Sequence, residues 1–342
     1  MVHRRHRAAP LLGALLASMT LAVAACGGQA EQSTNASSGD GEFPITISHA
    51  FGETTIEDSP ERVATWGWGS ADAAVALGVT PVAIQSQTYG GDENGMLPWV
   101  QEALDESGDA TPTMLPEASE PPFEAIAAAA PDLILAVYSG ITESDYEQLS
   151  QIAPTVAYPD KAWSTPWRET IRIVGEALGK ADEADALLAD IEAQIAAKAE
   201  EHPELAGKSV AMVFNTPDAF YVYKPADPRV GFTLDLGLVN AESVDALANG
   251  DSTFYYTLSQ ERLGDLESDI LVSYADTPEA SAEFLTSPEA ELMGQVQDGR
   301  VAEIVGTSFI AAVSPPTALS LTWGLDEYVS ILSETAQRVD GS

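Results

Sequence analysis

The side chains of this chain best suited to chemistry are aromatics that stand just after short apolar runs. Trp66 and Trp68 follow Val63–Thr65, Tyr89 follows Pro81–Ile84, Tyr138 and Ser139 follow Leu133–Val137, and Trp163 follows Thr155–Tyr158. The second half repeats the pattern with Tyr223 and Arg229, Tyr255 and Tyr256, Tyr274 after Ile270–Ser273, and Phe309 after Val301–Ile304. Apolar runs separated by helical segments read as strands, and open α/β sheets bind ligands outside the carboxyl ends of their strands. Aromatic walls there would cover a bulky ligand, and Arg229 would donate hydrogen bonds to its oxygens. Other cations are scarce in these loops, with Lys224 and Lys161 secondary. Asp227 and Asp235 are near enough in sequence to compete for Arg229 as salt-bridge partners.

Enzyme signatures are missing where they would be sought. The chain has no Gly-x-Ser-x-Gly, His-Glu-x-x-His or Gly-x4-Gly-Lys-Ser/Thr. Gly67-Trp-Gly69-Ser-Ala-Asp72 imitates a dinucleotide fingerprint, but a carboxylate in place of the third glycine would repel a pyrophosphate. Two of the four histidines, His3 and His6, lie in the basic N-terminal leader, leaving His49 and His202. A zinc site needs clustered imidazoles. Neither catalysis, a directly bound transition metal nor a cofactor is expected, while a bare ferric site of carboxylates and tyrosines stays open.

These side chains need a scaffold to hold them. Ile45–Ser48 and Glu53–Ile56 flank Phe51-Gly52 as a hairpin. Helical patterns over Ser70–Leu77, Phe123–Ala129 and Asp145–Gln151 alternate with the apolar runs, which implies βαβ units and largely parallel sheets. From Pro166 to His202 the strand rhythm stops. Trp167–Leu178 reads as one helix, and Ala181–Glu201 as a second with a single stripe of Ala184, Leu187, Leu188, Ile191 and Ile195. Alternation resumes at Ser209–Phe214, and a helix over Thr317–Ala336 ends the chain. The expected fold is α/β, with two Rossmann-like lobes joined by one long rigid helix: residues 43–179, 180–201 and 202–342. A single helix absorbs little hinge motion, so lobe closure should be small.

The first 42 residues speak of location. Arg4, Arg5 and Arg7 precede an apolar run from Leu11 to Ala25, which falls short of the roughly 20 residues a bilayer needs. A basic start, an apolar stretch and small residues describe a secretory signal peptide, residues 1–25. Val23-Ala-Ala-Cys26-Gly resembles a bacterial lipobox, which implies diacylation of Cys26, the chain's one cysteine. Residues 26–42, rich in Gly, Ser and acid, read as a flexible tether from a cell-membrane lipid anchor on the extracytoplasmic face. The formal net charge is −38, from 15 Lys+Arg against 53 Asp+Glu, so nucleic acid is no partner.

Six short stretches carry a family resemblance. They are Ser59-Pro-Glu-Arg-Val-Ala64, Ala76-Leu-Gly-Val-Thr-Pro-Val82, Phe123-Glu-Ala-Ile126 ahead of Ala130-Pro-Asp-Leu-Ile134, Ile173-Val-Gly-Glu-Ala-Leu-Gly-Lys180, Tyr221-Val-Tyr223, and Arg229-Val-Gly-Phe232. In this order the chain resembles the periplasmic-binding-protein group that delivers ferric siderophores, haem and vitamin B12 to ABC importers, from Phe43 to about Ala336. The resemblance implies a monomeric, lipid-anchored binding protein whose partners are a ferric siderophore and an ABC permease dimer with its ATPase. It also implies that Glu124 and Glu261, in matching places of the two lobes, meet arginines of the permease. An aromatic cleft with one guanidinium suits a neutral or cationic Fe(III) trishydroxamate better than a trianionic triscatecholate. Haem or a corrinoid is the alternative ligand, and a siderophore-processing enzyme the alternative class.

Overall fold

Strands covered by helices on both faces are apolar throughout, and Val63–Thr65, Leu133–Ala136 and Thr155–Ala157 are buried at every position. The computed structural model describes residues 41–250 and 252–341. The leader, Cys26 and the tether up to residue 40 lie outside the described residues.

The described chain begins with the hairpin of β1 (Ile45–His49) and β2 (Gly52–Ile56). Next come β3 (Val63–Thr65), α1 (Ser70–Ala76), β4 (Ala83–Gln85), α2 (Pro98–Ser107), β5 (Thr113–Leu115), α3 (Phe123–Ala128), β6 (Leu133–Ala136), α4 (Glu143–Leu149) and β7 (Thr155–Ala157). The last five strands form one parallel sheet in the order β5-β4-β3-β6-β7. The chain winds one way from β3 and the other way from β6, so the topological switch falls between these two strands.

α5 (Trp167–Ala177) and α6 (Ala181–Glu201) then interrupt the alternation as expected. The buried stripe of α6 is Ala184, Leu188, Ile191 and Ile195, with Leu187 at its margin. Lys180 N–H donates to Gly175 O at 2.7 Å, closing the first of these helices before the second begins.

The second lobe holds β8 (Ser209–Asn215), β9 (Phe220–Tyr223), α7 (Pro228–Asp235), β10 (Val239–Asn240), α8 (Glu242–Leu247), β11 (Tyr255–Leu258), β12 (Ile270–Ala275), α9 (Pro278–Leu285), α10 (Gly294–Gln297), β13 (Val301–Val305), α11 (Thr307–Val313) and α12 (Ser320–Asp340). Its sheet runs β11-β9-β8-β12-β13, with β10 beside the start of β8. β8, β12 and β13 are parallel, whereas β9 and β11 are antiparallel additions. The final helix starts three residues later than its sequence pattern suggests. Thr317 and Ser320 exchange hydrogen bonds at 2.8 and 3.1 Å, and this turn holds Pro315-Pro316 outside the helix.

The lobes meet through buried polar contacts. Asp72, in the first turn of α1, is buried and already bonded rather than open to a phosphate. Its carboxylate accepts from Trp99 Nε1 of α2 at 2.6 Å and from Thr317 Oγ1 of the second lobe. Burial pushes this carboxyl upward, against the pull of those two donors. Trp323 of α12 rests on Trp99, with ring centres 5.6 Å apart.

Candidate functional site

A switch point between parallel strands leaves a crevice where two loops diverge. Here the loops after β3 and β6 are pressed together. A Cβ on Gly67, whose φ is +97°, would stand 2.4 Å from Tyr138 O, so only glycine fits. Trp68 N–H donates to Tyr138 O at 2.9 Å, and Gly67 N–H to Gln85 Oε1 at 2.8 Å. The pair of loops therefore aims Trp68 and Tyr138 into one pocket. Thr165 and Trp167 line its near side, and Pro228 with Pro315–Ala318 of the second lobe its far side. Trp68 Nε1 donates across it to Pro315 O at 3.0 Å.

Trp163 forms the rim. It is 51% exposed, in the left-handed region at φ +57°, and sits edge-on to Tyr138 at 5.7 Å. Its indole lies where a Cβ on Gly140 would be, 2.2 Å from Nε1. A bulky residue held exposed at positive φ is the kind of strain found at ligand clamps.

The second lobe supplies the polar centre. Asp227 caps α7, and its Oδ1 accepts from both Arg229 N, at 3.0 Å, and Arg229 Nε, at 2.7 Å. The guanidinium lies 3.8 Å over the Tyr223 ring and 5.9 Å from that of Tyr274. Burial works against the Arg229 cation, but the Asp227 carboxylate beside it favours the charge, and its pKa is raised. Tyr89 of the first lobe reaches over to donate to Asp276 Oδ1 at 2.8 Å.

Burial also pushes the phenols of Tyr89, Tyr138, Tyr223 and Tyr274 up, so all four stay protonated. The fixed charges acting on them are Arg229, Asp227 and Asp276. These couplings join Tyr89 and Tyr138 of one lobe to Arg229 of the other. The site is thus an aromatic cleft with hydroxyl donors and one guanidinium paired with a carboxylate.

Not every expected residue arrives there. Trp66 is 4% exposed and packs with Leu115, Ile126 and Tyr158 on the far face of the first sheet, because the turn at Gly67 breaks the alternation that would have put it on one face with Trp68. Phe309 stands on α11 rather than on a loop, buried against Gly324 of α12. Tyr223 and Tyr255 are not on loops after parallel strands but are register partners in the antiparallel β9–β11 pair. Tyr255 remains 41% exposed beside Tyr221, at 5.4 Å, extending an aromatic ledge from Arg229. Lys224 is committed to Ser252 O at 2.7 Å.

Thr165, Trp167 and the Pro315–Ala318 turn were not foreseeable as lining, nor Tyr221 as part of the ledge. Only the Tyr-x-Tyr alternation at Tyr221–Tyr223, which puts both rings on one face, carried a signal. His49 is engaged at both ring nitrogens, by Phe51 N–H at 3.2 Å and Thr54 Oγ1 at 2.9 Å, so it is not offered as a haem ligand. No group of three His, Cys, Asp or Glu able to hold a metal occurs among the described residues. None of the described helices is long and apolar enough to cross a membrane.

Two α/β lobes, one with a parallel and one with a mixed sheet, joined by one long helix, with an aromatic cleft at the switch point of the first sheet, define the class III binding-protein fold. Residues 63–306 match the periplasmic binding protein family, and the chain belongs to it. YhfQ of Bacillus subtilis, provisionally named an ABC transporter substrate-binding lipoprotein, is 27% identical over 52% of each chain. The Fe(3+) dicitrate-binding periplasmic protein FecB of Escherichia coli is 31% identical over 47% of this chain and 53% of its own. The chain thus spans about half the length of these two relatives. PiaA of Streptococcus pneumoniae, solved with ferrichrome, aligns more fully: 36% identity, TM-score 0.76, 86% of this chain and 99% of that one.

Proposed function

We propose that this chain is an extracytoplasmic solute-binding lipoprotein that captures a ferric siderophore of hydroxamate type and delivers it to an ABC importer. The observation that carries the reading is the aromatic cleft in which Arg229 is the one cation acting on the facing phenols. Trp68, Tyr89, Tyr138, Trp163, Tyr223 and Tyr255 would cover the ligand's linker chains, and Arg229 would donate to oxygens around iron. The likeness to a ferrichrome-bound protein supports the same ligand class. The protein binds and releases without turnover. Residues 43–179 and 202–342 act as the two lobes about the helix at 180–201, and Cys26 carries the lipid after removal of residues 1–25.

Delivery requires docking. Glu124 lies in the first turn of α3, and Glu261 in the first turn of the 3-10 helix Gln260–Asp265. Both are exposed, and each helix precedes a central strand, β6 or β12. These two glutamates would meet cations of the permease dimer. The rival role, a carboxylate at a helix start, is worth about 0.3–1 kcal/mol.

Tryptophan fluorescence titrations with ferrichrome, ferrioxamine, ferric enterobactin, haem and cobalamin test the ligand class. Saturable quenching by the two hydroxamates is expected, and binding of ferric enterobactin alone would reject it. Mass analysis after incubation should return the siderophore intact. In reconstituted vesicles Glu124→Ala with Glu261→Ala should abolish uptake at unchanged affinity, and undiminished uptake would reject docking.

A further inference from the structure

Arg229 brings a positive charge to the cleft, yet it arrives with a carboxylate already against it. We infer that Asp227 is a specificity-determining residue: by cancelling Arg229, it makes the cleft select ferric complexes without net negative charge. This rests on the siderophore reading and adds the residue that sets the ligand's charge class.

The geometry holds the two groups in contact. Asp227 is 5% exposed, and a single oxygen accepts from both the backbone and the Nε of Arg229. The Arg229 side chain is 18% exposed and stacked on Tyr223, so the two charges cannot part. Seen from the distance of a ligand's periphery, a contact pair is a dipole whose pull on an anion largely cancels. At contact distance the guanidinium still has N–H groups beyond Nε to donate to a neutral oxygen. Asp276, exposed at the end of β12 and bonded to Tyr89, adds a second negative charge. The cleft therefore presents hydrogen-bond donors without a positive field, inside a chain of net charge −38. A lone arginine among aromatics would instead favour anions.

The test compares two trishydroxamates on one scaffold: ferrichrome, which is neutral, and ferrichrome A, which bears three carboxylates. Calorimetry gives both dissociation constants for the full mature chain and for Asp227→Asn, which keeps the capping oxygen and removes the charge. The ratio of the ferrichrome A constant to the ferrichrome constant should be large in the wild type and fall at least tenfold in the variant. Asp227→Glu, which restores the charge, should return most of the discrimination. Asp227→Ser, another uncharged capping residue, replaces the asparagine variant if that one does not fold. An unchanged ratio, or a wild type that binds ferrichrome A as tightly as ferrichrome, overturns the inference and leaves the siderophore reading standing. Binding of neither complex by the wild type overturns the functional reading, and the inference with it.

Discussion

Arg229 is fixed by what surrounds it, and its replacement acts on two quantities at once. Arg229→Gln removes charge-assisted donors worth about 1.5–3 kcal/mol, so ferrichrome affinity should fall roughly 10- to 100-fold. It also leaves Asp227 buried without its counter-charge, which should cost about 3–5 kcal/mol of stability by thermal or denaturant unfolding. Lysine would not restore the site, because it lacks the planar group that lies on the Tyr223 ring. A variant that binds and unfolds like the wild type would remove Arg229 from the site. Two glycines should separate function from folding. Gly140→Ala intrudes on the Trp163 indole, an exposed side chain able to move, so affinity should fall while the melting temperature barely changes. Gly67→Ala meets the backbone of Tyr138 at positive φ, and should lower the melting temperature sharply. Equal effects on both quantities in the two variants would contradict this division.

At the scale of elements, the hairpin carries the clearest pH dependence. His49 is buried with Nδ1 accepting from Phe51 N–H, so Nε2 carries the proton and donates to Thr54, whose hydroxyl donates to Thr155 O at 2.7 Å. Burial lowers the imidazole from its ordinary 6.5. The native state therefore binds the proton later than the unfolded chain as pH falls. The stability from neutral His49 is present above about pH 6.5 and lost as pH falls through the lower native value. Between pH 7 and 5 the wild type should lose melting temperature faster than His49→Gln, and parallel curves would exclude the histidine as a source. Two of the family stretches have a structural explanation. Asp132, just before β6, accepts from the N–H groups of Glu61 and Arg62 before β3, both at 2.9 Å. Asp269, just before β12, accepts from Ser209 N–H at the start of β8 at 2.8 Å. Each lobe thus ties its two central strands together at the end opposite the cleft.

For the molecule as a whole, the ties between the lobes limit motion. α6 crosses once between them, Asp72 bonds to Thr317, and Ser308 Oγ donates to Gly90 O at 2.7 Å. A Cβ on Gly90 would stand 2.6 Å from that of Ala311, so these surfaces are already in contact. Ligand binding has little hinge freedom to draw on. Scattering profiles with and without ferrichrome should nearly superimpose, and a fall of several ångströms in radius of gyration would refute this.

Periodicity and breakers in the sequence determined most of the alternating strands and helices of the first lobe, though not α2 or β5, together with the two central helices and the fold class. A stripe such as Ala184–Ile195 depends only on local spacing. The same local rules place Trp68, Tyr138 and Trp163 after their strands. Tertiary structure alone decided which of the aromatics converge. Trp66 and Trp68 differ by two residues in sequence, yet the tight Gly67 turn against Tyr138 sends one to the core and the other to the cleft. β9 and β11 are short and pair across a long stretch of chain, so their local alternation does not say which strand each one joins. Arg229 had two carboxylates within reach in sequence. The start of α7 bonded it to Asp227, while Asp235 went to Arg168 at 3.0 Å, because helix geometry puts those partners at opposite ends of one helix.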